Sequence, residues 1–255
     1  MLKEAGQKQL LSEYIAGASE RHLTKAIADV YGRASLPFLF KILSVQTALS
    51  IQAHPDKPLA QRLHRERPDL YKDDNHKPEM CIALTTFEGL CGFRPMGEVA
   101  ADLQRHKDVF VPTILSEAQF DEIQANANNT HASAPLLRLL LKAYMDATPE
   151  QLQTAIGTLL AKQTHQPTST STSASASPTE SVEGLAHRLQ AQYKNDVGVL
   201  CPFLLNYIRL QPGEAFFMMA NEPHAYLAGG MFHPFFAFFT VFFFLLDMAN
   251  ACEVG

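Results

Sequence analysis

The stretch LPFLFKILSVQTALSIQAHPDK, residues 36–57, decides the fold prediction, because it contains two successive β-strand patterns. Its first part, Leu36–Leu43, is short and apolar and carries a proline, which predicts a buried β-strand. Its second part, Ala48–His54, alternates apolar and polar residues and predicts another strand. Because residues i and i+2 of a strand point to the same face, Gln52 and His54 should share the polar face. We therefore expect a β-rich domain in which these two side chains lie on the polar face of one strand, where such residues are most often simply solvated.

The rest of the chain changes from β-rich to helical and back again. Residues 96–162 carry helix signals, including capping-box patterns that begin at Ser116 and Thr148. Strand patterns return at Phe203–Leu210 and Ala215–Ala220, with a proline–glycine turn between them. This order is what a helical insertion into a single β domain would produce.

The predicted domain organisation has four parts. Residues 1–95 form the first part of the β domain, 96–190 the helical insertion, 191–230 the return to the β domain, and 231–255 an atypical tail. Within the insertion, residues 163–181 read QTHQPTSTSTSASASPTES. This segment has too few apolar groups to offset its chain entropy, so we expect a disordered surface loop.

Charge and cysteine content limit the classes of function. The formal net charge is −5 and lysine and arginine form no runs, so we expect no nucleic-acid partner. A local cluster of basic residues would still suit a phosphorylated substrate. The four cysteines lie at 81, 91, 201 and 252 without a CxxC pair, and the N-terminus lacks the apolar core of a signal peptide. Both features predict a reducing, cytoplasmic location.

The tail has an unusual composition. Phe235–Leu246 contains seven phenylalanines in twelve residues. Twelve apolar residues are fewer than the about 20 that span a bilayer, so we expect no membrane span. The run also lacks the alternation of a half-buried strand. Because phenylalanine codons are pyrimidine-rich, we interpret residues 231–255 as an intron's pyrimidine tract read as coding sequence.

Three polar clusters carry residue types that bind metals. Gln52 and His54 share the predicted strand face, Glu79 follows the stiffening Pro78, and His224 follows a short polar turn. Two imidazoles, a carboxylate and a carboxamide, without a thiolate, suit Zn²⁺ or another borderline divalent metal. Each cluster alone is equally consistent with solvated polar residues, and spacing does not establish that the clusters converge.

Three motifs resemble those of the type I phosphomannose isomerase family. They are QAHPDK at residues 52–57, YxDxNHKPE at 71–79 and EPHAYL at 222–227. The likeness covers most of residues 36–95 and 192–227. It implies a mixed α+β fold, an incomplete cupin-type β-barrel or jelly roll with an inserted helical domain. It also implies one Zn²⁺ per chain, and the ligands it assigns are Gln52, His54, Glu79 and His224.

The same resemblance implies a reaction and its participants. Members of the family interconvert mannose 6-phosphate and fructose 6-phosphate by moving a proton between C1 and C2, and so supply GDP-mannose synthesis. We expect Lys77 to act in catalysis, and Ser50 and Lys57 to bind the substrate phosphate. The expected partner is a small sugar phosphate, and the expected state is a monomer.

The chain also departs from the family pattern. It shows no counterpart of the family's N-terminal segment, which would leave the barrel incomplete. After His224 it lacks the arginine-containing motif that the family uses at the active site. The alternative interpretation is therefore a non-catalytic truncated fragment, or a mis-assembled gene model, that at most binds zinc.

Overall fold

The computed structural model describes residues 2–4, 7–32, 36, 38–163 and 180–236. The low-complexity residues 164–179, predicted to be disordered, and residues 237–255 of the predicted tail lie outside the described residues. The strands are β1 (Leu2–Glu4), β2 (Gln7–Gln9), β3 (Phe38–Val45), β4 (Glu79–Ala83), β5 (Phe87–Phe93), β6 (Leu205–Leu210), β7 (Ala215–Met218) and β8 (His224–Phe236).

Helices precede β3, link it to β4 and fill the space between β5 and β6. They are α1 (Leu11–Gly17), α2 (Ser19–Tyr31), α3 (Lys57–Glu66), α4 (Met96–Arg105), α5 (Lys107–Phe110), α6 (Glu117–Ala125), α7 (Thr130–Asp146), α8 (Pro149–Gln163) and α9 (Val182–Gln192), with a 3₁₀-helix at Val197–Phe203. Both predicted capping boxes form. The Ser116 hydroxyl accepts from the Gln119 N–H at 3.3 Å, and the Thr148 hydroxyl accepts from the Gln151 N–H at 3.3 Å. No helix in the described ranges is both long and apolar enough to cross a bilayer.

The sheet is antiparallel, and β8 is its central strand. The strand order is β6–β5–β8–β4–β7, and β3 also pairs with β8. The first part of β8 pairs with β5, and its later part pairs with β3 on one side and β4 on the other. The sheet curls into half of a barrel. The fold is therefore the predicted mixed α+β arrangement, a partial cupin-type barrel with a helical insertion.

The two faces of the sheet pack into different cores. Leu90, Ala225 and Leu227 face the helices and join a large core that includes Leu140 and Phe203. On the opposite face lies a smaller core formed by Val45, Cys81, Ala83, Phe87, Met218, Tyr226 and Met231. Since both faces are covered along much of β8, this strand lacks the simple alternation of apolar and polar residues.

A glycine pair in β8 changes which side chains face the smaller core. Tyr226 and Met231 both belong to that core although they are five residues apart, which a regular strand would not allow. Gly229 lies between them with a φ of +108°, and the pairing with β5 shifts register just before it. A Cβ at Gly229 would overlap the carbonyl oxygen of Thr86. The strand therefore uses glycine to bend at this position.

The first predicted strand exists, but the prediction that it is buried was wrong. It spans Phe38–Val45, and the exposed fraction of Ile42 is 64%. The strand obtains backbone pairing from β8 and stacks Phe40 on Phe232, with ring centroids 5.2 Å apart. Val45 joins the smaller core and Leu43 packs against it, but the side chains of Phe38, Leu39, Phe40 and Ile42 are each more than 40% exposed. Apolar composition therefore did not produce burial along most of this strand.

The second predicted strand, Ala48–His54, was also wrong. Only Gln52 forms a bridge, with His224. The reason lies at Ala48, whose N–H donates to the Gln192 side chain at 2.9 Å and whose carbonyl accepts from the Tyr193 hydroxyl at 2.7 Å. These side chains take the place of a strand partner at Ala48. Further along, the segment meets β8 only at separate points, with the Leu49 N–H donating to the Tyr226 carbonyl at 2.8 Å and Gln52 pairing with His224, so no continuous ladder forms.

The predicted domain boundaries remain predictions, but one of them can be placed on the fold. The boundary between residues 230 and 231 falls inside β8, which continues to Phe236. Residues 231–236, assigned above to the atypical tail, therefore belong to the sheet. Met231 is fully buried, and its sulfur lies 2.9 Å from that of Cys81.

An ion pair attaches α9 to the other helices and should make stability depend on pH. His106 Nε2 lies 2.9 Å from Glu183 Oε1, and this contact lowers the pKa of Glu183 from 4.5 to about 2. A lowered pKa stabilises the fold above pH 4.5, and that contribution disappears as the pH falls toward 2. Glu183→Gln should therefore lower the free energy of unfolding at pH 7 by about 1 kcal/mol, after allowance for solvent screening.

Urea unfolding of both proteins at pH 7 and pH 3 measures this effect. The difference between wild type and Glu183→Gln should shrink at pH 3. Glu117→Gln, which removes an exposed partner of Lys107, is the control and should change little at either pH. An equal loss in Glu183→Gln at both pH values would contradict the assignment.

Candidate metal centre

Three chain segments bring together the side chains of three of the four predicted metal ligands. His54 lies between β3 and α3, Glu79 is the first residue of β4, and His224 is the first residue of β8. The backbone of Gln52 pairs with that of His224 through two hydrogen bonds of 2.9 Å. The side chains of these motifs thus converge, although the backbone of Glu79 pairs with Phe235, near the other end of β8 from His224.

The cluster is compact and largely buried. His54 Nε2 lies 2.6 Å from Glu79 Oε1, and His224 Nε2 lies 3.4 Å from Glu79 Oε2. One ligand atom from each of these three residues lies within 4.8 Å of the others. Glu79 and His224 are each 1% exposed, whereas the His54 side chain is 21% exposed. The site is therefore reached from the side of His54.

The tautomer of His224 follows from its hydrogen bond. Its Nδ1 lies 2.9 Å from the carbonyl oxygen of Glu222, which can only accept, so Nδ1 carries the proton and donates it. In the neutral ring, Nε2 then presents a lone pair toward the Glu79 carboxylate. Within the described residues, neither His224 Nε2 nor Glu79 Oε1 forms a hydrogen bond of good geometry. Buried lone pairs that lie this close together fit a divalent cation.

The carboxylate of Glu79 stays charged despite its burial. Burial opposes ionisation, but the surrounding imidazole and phenol groups lower the pKa of Glu79 well below its ordinary value. The cluster therefore offers one anion and two imidazole rings. This donor set suits zinc, and the single negative charge leaves a bound dication with net positive charge.

Comparisons with known proteins agree with this geometry. Residues 3–96 match the family model described as phosphomannose isomerase type I, catalytic domain. Mannose-6-phosphate isomerase of Aspergillus fumigatus is 40% identical over 223 residues, covering 81% of this chain and 48% of that protein. The human enzyme of the same name is 41% identical over 227 residues, covering 87% and 51%.

The chain belongs to the type I phosphomannose isomerase family. A crystal structure of zinc-bound mannose 6-phosphate isomerase superimposes with a TM-score of 0.71 and 27% identity, covering 92% of this chain and 56% of that one. The chain spans about half the length of the curated relatives that it matches.

Two further side chains of this family member contact Glu79, and sequence reasoning missed both. The Tyr226 hydroxyl donates to Glu79 Oε2, and His233 Nε2 lies 2.7 Å from the same oxygen. Tyr226 could have been found, since it follows His224 by two residues on a strand. His233 lies nine residues from His224, and regular alternation would place it on the other face. The bend at Gly229 reverses this expectation.

The predicted catalytic and phosphate-binding residues lie in other surroundings. Lys77 Nζ lies 3.1 Å from Asp73 Oδ2, and Lys57 Nζ lies 3.3 Å from Asp74 Oδ2 and donates to Asn75 at 2.7 Å. Both lysines thus contact the loop of residues 71–77, which belongs to the family motif.

Ser50 is exposed and lines a small cavity of about 60 Å³ between the 48–51 segment and the 3₁₀-helix. The roles of Ser50, Lys57 and Lys77 remain predictions.

Proposed function

We propose that this protein is a zinc-dependent aldose–ketose isomerase that interconverts mannose 6-phosphate and fructose 6-phosphate. The observation that carries the proposal is the cluster of His54, Glu79 and His224, whose ligand atoms lie within 4.8 Å of one another in a chain of this family. The names of the curated relatives and the zinc-bound structural neighbour support it.

We propose one zinc per chain, held by Gln52, His54, Glu79 and His224. The backbone bridge between Gln52 and His224 supports the inclusion of Gln52, because it fixes the start of one side chain beside the other. When bound, zinc supplies a Lewis acid that stabilises negative charge on a sugar oxygen. The strand ends hold these side chains in place before substrate arrives, so little reorganisation is needed on binding.

We propose that Lys77 moves a proton during the exchange between C1 and C2, and that Lys57 and Ser50 bind the phosphate. Lys77 lies two residues before Glu79, and its side chain is 38% exposed, so its ammonium group is accessible to a substrate. The contact with Asp73 limits the positions its ammonium group explores. An ammonium group within reach of a sugar oxygen can act as a general acid. Lys57 and Ser50 provide the charge and the hydroxyl that phosphate recognition requires.

The wider assignment is also a proposal. Mannose 6-phosphate made here would supply GDP-mannose synthesis. Cytoplasmic location is supported by the free thiols of Cys81, Cys91 and Cys201, which suit a reducing compartment. Burial raises the pKa of Cys81 and Cys201 to about 12, so both are protonated at neutral pH. We expect the protein to act as a monomer on a small sugar phosphate.

A coupled isomerase assay with zinc analysis tests the proposal. The purified protein should convert fructose 6-phosphate to mannose 6-phosphate with about one zinc per chain. Removal of metal by a chelator should abolish turnover, and added zinc should restore it. Lys77→Met should lower kcat by about 100-fold or more and leave zinc content unchanged.

Each component of the proposal can fail separately. Fully zinc-loaded protein without turnover would refute the isomerase assignment and favour the non-catalytic alternative. Full turnover after complete zinc removal would refute the role of the metal. Unchanged kcat in Lys77→Met would remove that lysine from the reaction.

A further inference from the structure

The two oxygens of the Glu79 carboxylate have different surroundings. Oε1 faces His54, whose Nε2 lies 2.6 Å away. Oε2 accepts from the Tyr226 hydroxyl, and it lies 2.7 Å from His233 Nε2 and 3.4 Å from His224 Nε2. Tyr226 and His233 also contact each other, with 2.6 Å between the hydroxyl oxygen and Nε2. All of these groups except His54 are at most 1% exposed.

The donors and acceptors in this triangle are determined by the carboxylate. A carboxylate oxygen can only accept, so His233 presents an N–H at Nε2 and Tyr226 presents its O–H. Oε2 then accepts two hydrogen bonds, and the Tyr226 oxygen can accept a share of the His233 proton. Such charge-assisted bonds are among the stronger ones in proteins and fix the rotation of the carboxylate.

The route of β8 explains how His233 reaches this position. Glu79 of β4 pairs with Phe235 of β8. His233 comes two positions before Phe235 on β8 and therefore lies on the same face of that strand. The change of face at Gly229 turns Met231 and His233 toward the smaller core, with Tyr226. Without that change, His233 would point toward the opposite face of the sheet.

We propose that His233 is a positioning residue for the metal site: together with Tyr226 it holds Oε2 of Glu79 and directs Oε1 toward the cation. This inference rests on the proposed function in taking the cation to be zinc. The ligands are those already named, and His233 acts on zinc through Glu79. Groups that orient a metal ligand typically affect affinity by about 10–100-fold.

The test compares zinc affinity in the full-length chain and in four variants, by competition with a chromophoric chelator. His233→Leu removes the N–H and keeps an apolar side chain, and it should weaken zinc binding about 10–100-fold. His233→Gln retains an N–H donor and should recover affinity to within about 5-fold of wild type. Tyr226→Phe keeps the ring and removes the other donor, so it should weaken binding by a similar factor to His233→Leu.

Met231→Leu is the matched control. It alters a fully buried neighbour on the same face of β8, yet contributes no polar contact to Glu79. Its zinc affinity should match that of wild type. The visible absorption spectrum of Co²⁺-substituted protein gives a second readout, because it reports on ligand geometry. The spectrum should change in His233→Leu and remain unchanged in Met231→Leu.

The outcomes separate this inference from the proposed function. If His233→Leu binds zinc within twofold of the wild-type affinity and its Co²⁺ spectrum is unchanged, the positioning role is overturned, whatever the isomerase activity. An equal loss of affinity in Met231→Leu would also overturn it, since the effect would then be one of packing. If wild type binds zinc without isomerase turnover, the proposed reaction fails, and the His233 comparison still decides the positioning role. A wild-type chain that binds no zinc would overturn both.

Discussion

Glu79→Gln is expected to remove zinc binding and isomerase turnover together. The substitution keeps the size of the side chain and removes the only negative charge that the cluster presents to a cation. Three imidazole nitrogens lie within 3.4 Å of this carboxylate. In the variant these nitrogens would surround a neutral amide instead of a negative charge. Loss of a residue that orients a metal ligand lowers metal affinity by up to about 100-fold. Loss of the ligand charge itself should lower zinc affinity by more than that.

Zinc content by mass spectrometry of metals and turnover in the coupled assay measure this result. Glu214→Gln is the control, because Glu214 lies in the exposed turn between β6 and β7 and its carboxylate accepts from the backbone N–H of Gln211. His54→Ala offers a second test at a less buried ligand, and it should lose zinc as well. Zinc retained at wild-type affinity in either ligand variant would remove that residue from the ligand set. Circular dichroism should show the native helix content in both.

The convergence of the ligands could be predicted only in part. The local motifs identify His54, Glu79 and His224 because each places a ligand type beside a proline, and Glu79 and His224 each begin a strand. Convergence depends on β4 and β8 being neighbours, which is a long-range pairing that no single motif encodes. The resemblance to a known family supplied that information, and the strand register agrees with it.

The strands that sequence analysis missed have irregular patterns. β5 reads FEGLCGF, and its two glycines indicate a break in the chain when they are taken alone. β8 is buried against two different cores and bends at Gly229, so its residues show neither steady alternation nor a uniform apolar run. Periodicity predicts regular strands. The central strand of this sheet is irregular between His224 and His233, the two histidines that it places beside Glu79.

Burial was predicted less well than strand formation. The apolar run around Phe38–Val45 forms a strand as expected, because its β-branched and aromatic side chains favour extended backbone. Whether an apolar side chain is buried depends on a neighbouring layer, and composition alone does not say which layer is present. The same reasoning applies to residues 231–236, whose composition suggested a foreign tail although they pair with both β3 and β4.

Gly229→Ala is expected to destabilise the fold strongly. At φ +108° any side chain is strained, and the added Cβ would overlap the Thr86 carbonyl and lie 2.8 Å from the Phe87 Cα. Both contacts are with backbone, which cannot move aside without disturbing the start of β5. Backbone strain of about 1–3 kcal/mol and overpacking of about 1–3 kcal/mol together suggest a loss of about 4 kcal/mol. Urea unfolding followed by circular dichroism measures it.

Gly230→Ala is a closely matched control, since it adds the same methyl group one residue later. The nearest atoms to a Cβ there are in the Thr85 side chain, 3.7 Å away, an ordinary contact distance. Stability should change by less than about 1 kcal/mol. The two variants should also differ in zinc affinity, because His224 precedes Gly229 on β8 and His233 follows it, and the bend brings both toward Glu79. If Gly229→Ala matched Gly230→Ala in both stability and zinc affinity, Gly229 would not be the residue that turns Met231 and His233 toward the smaller core.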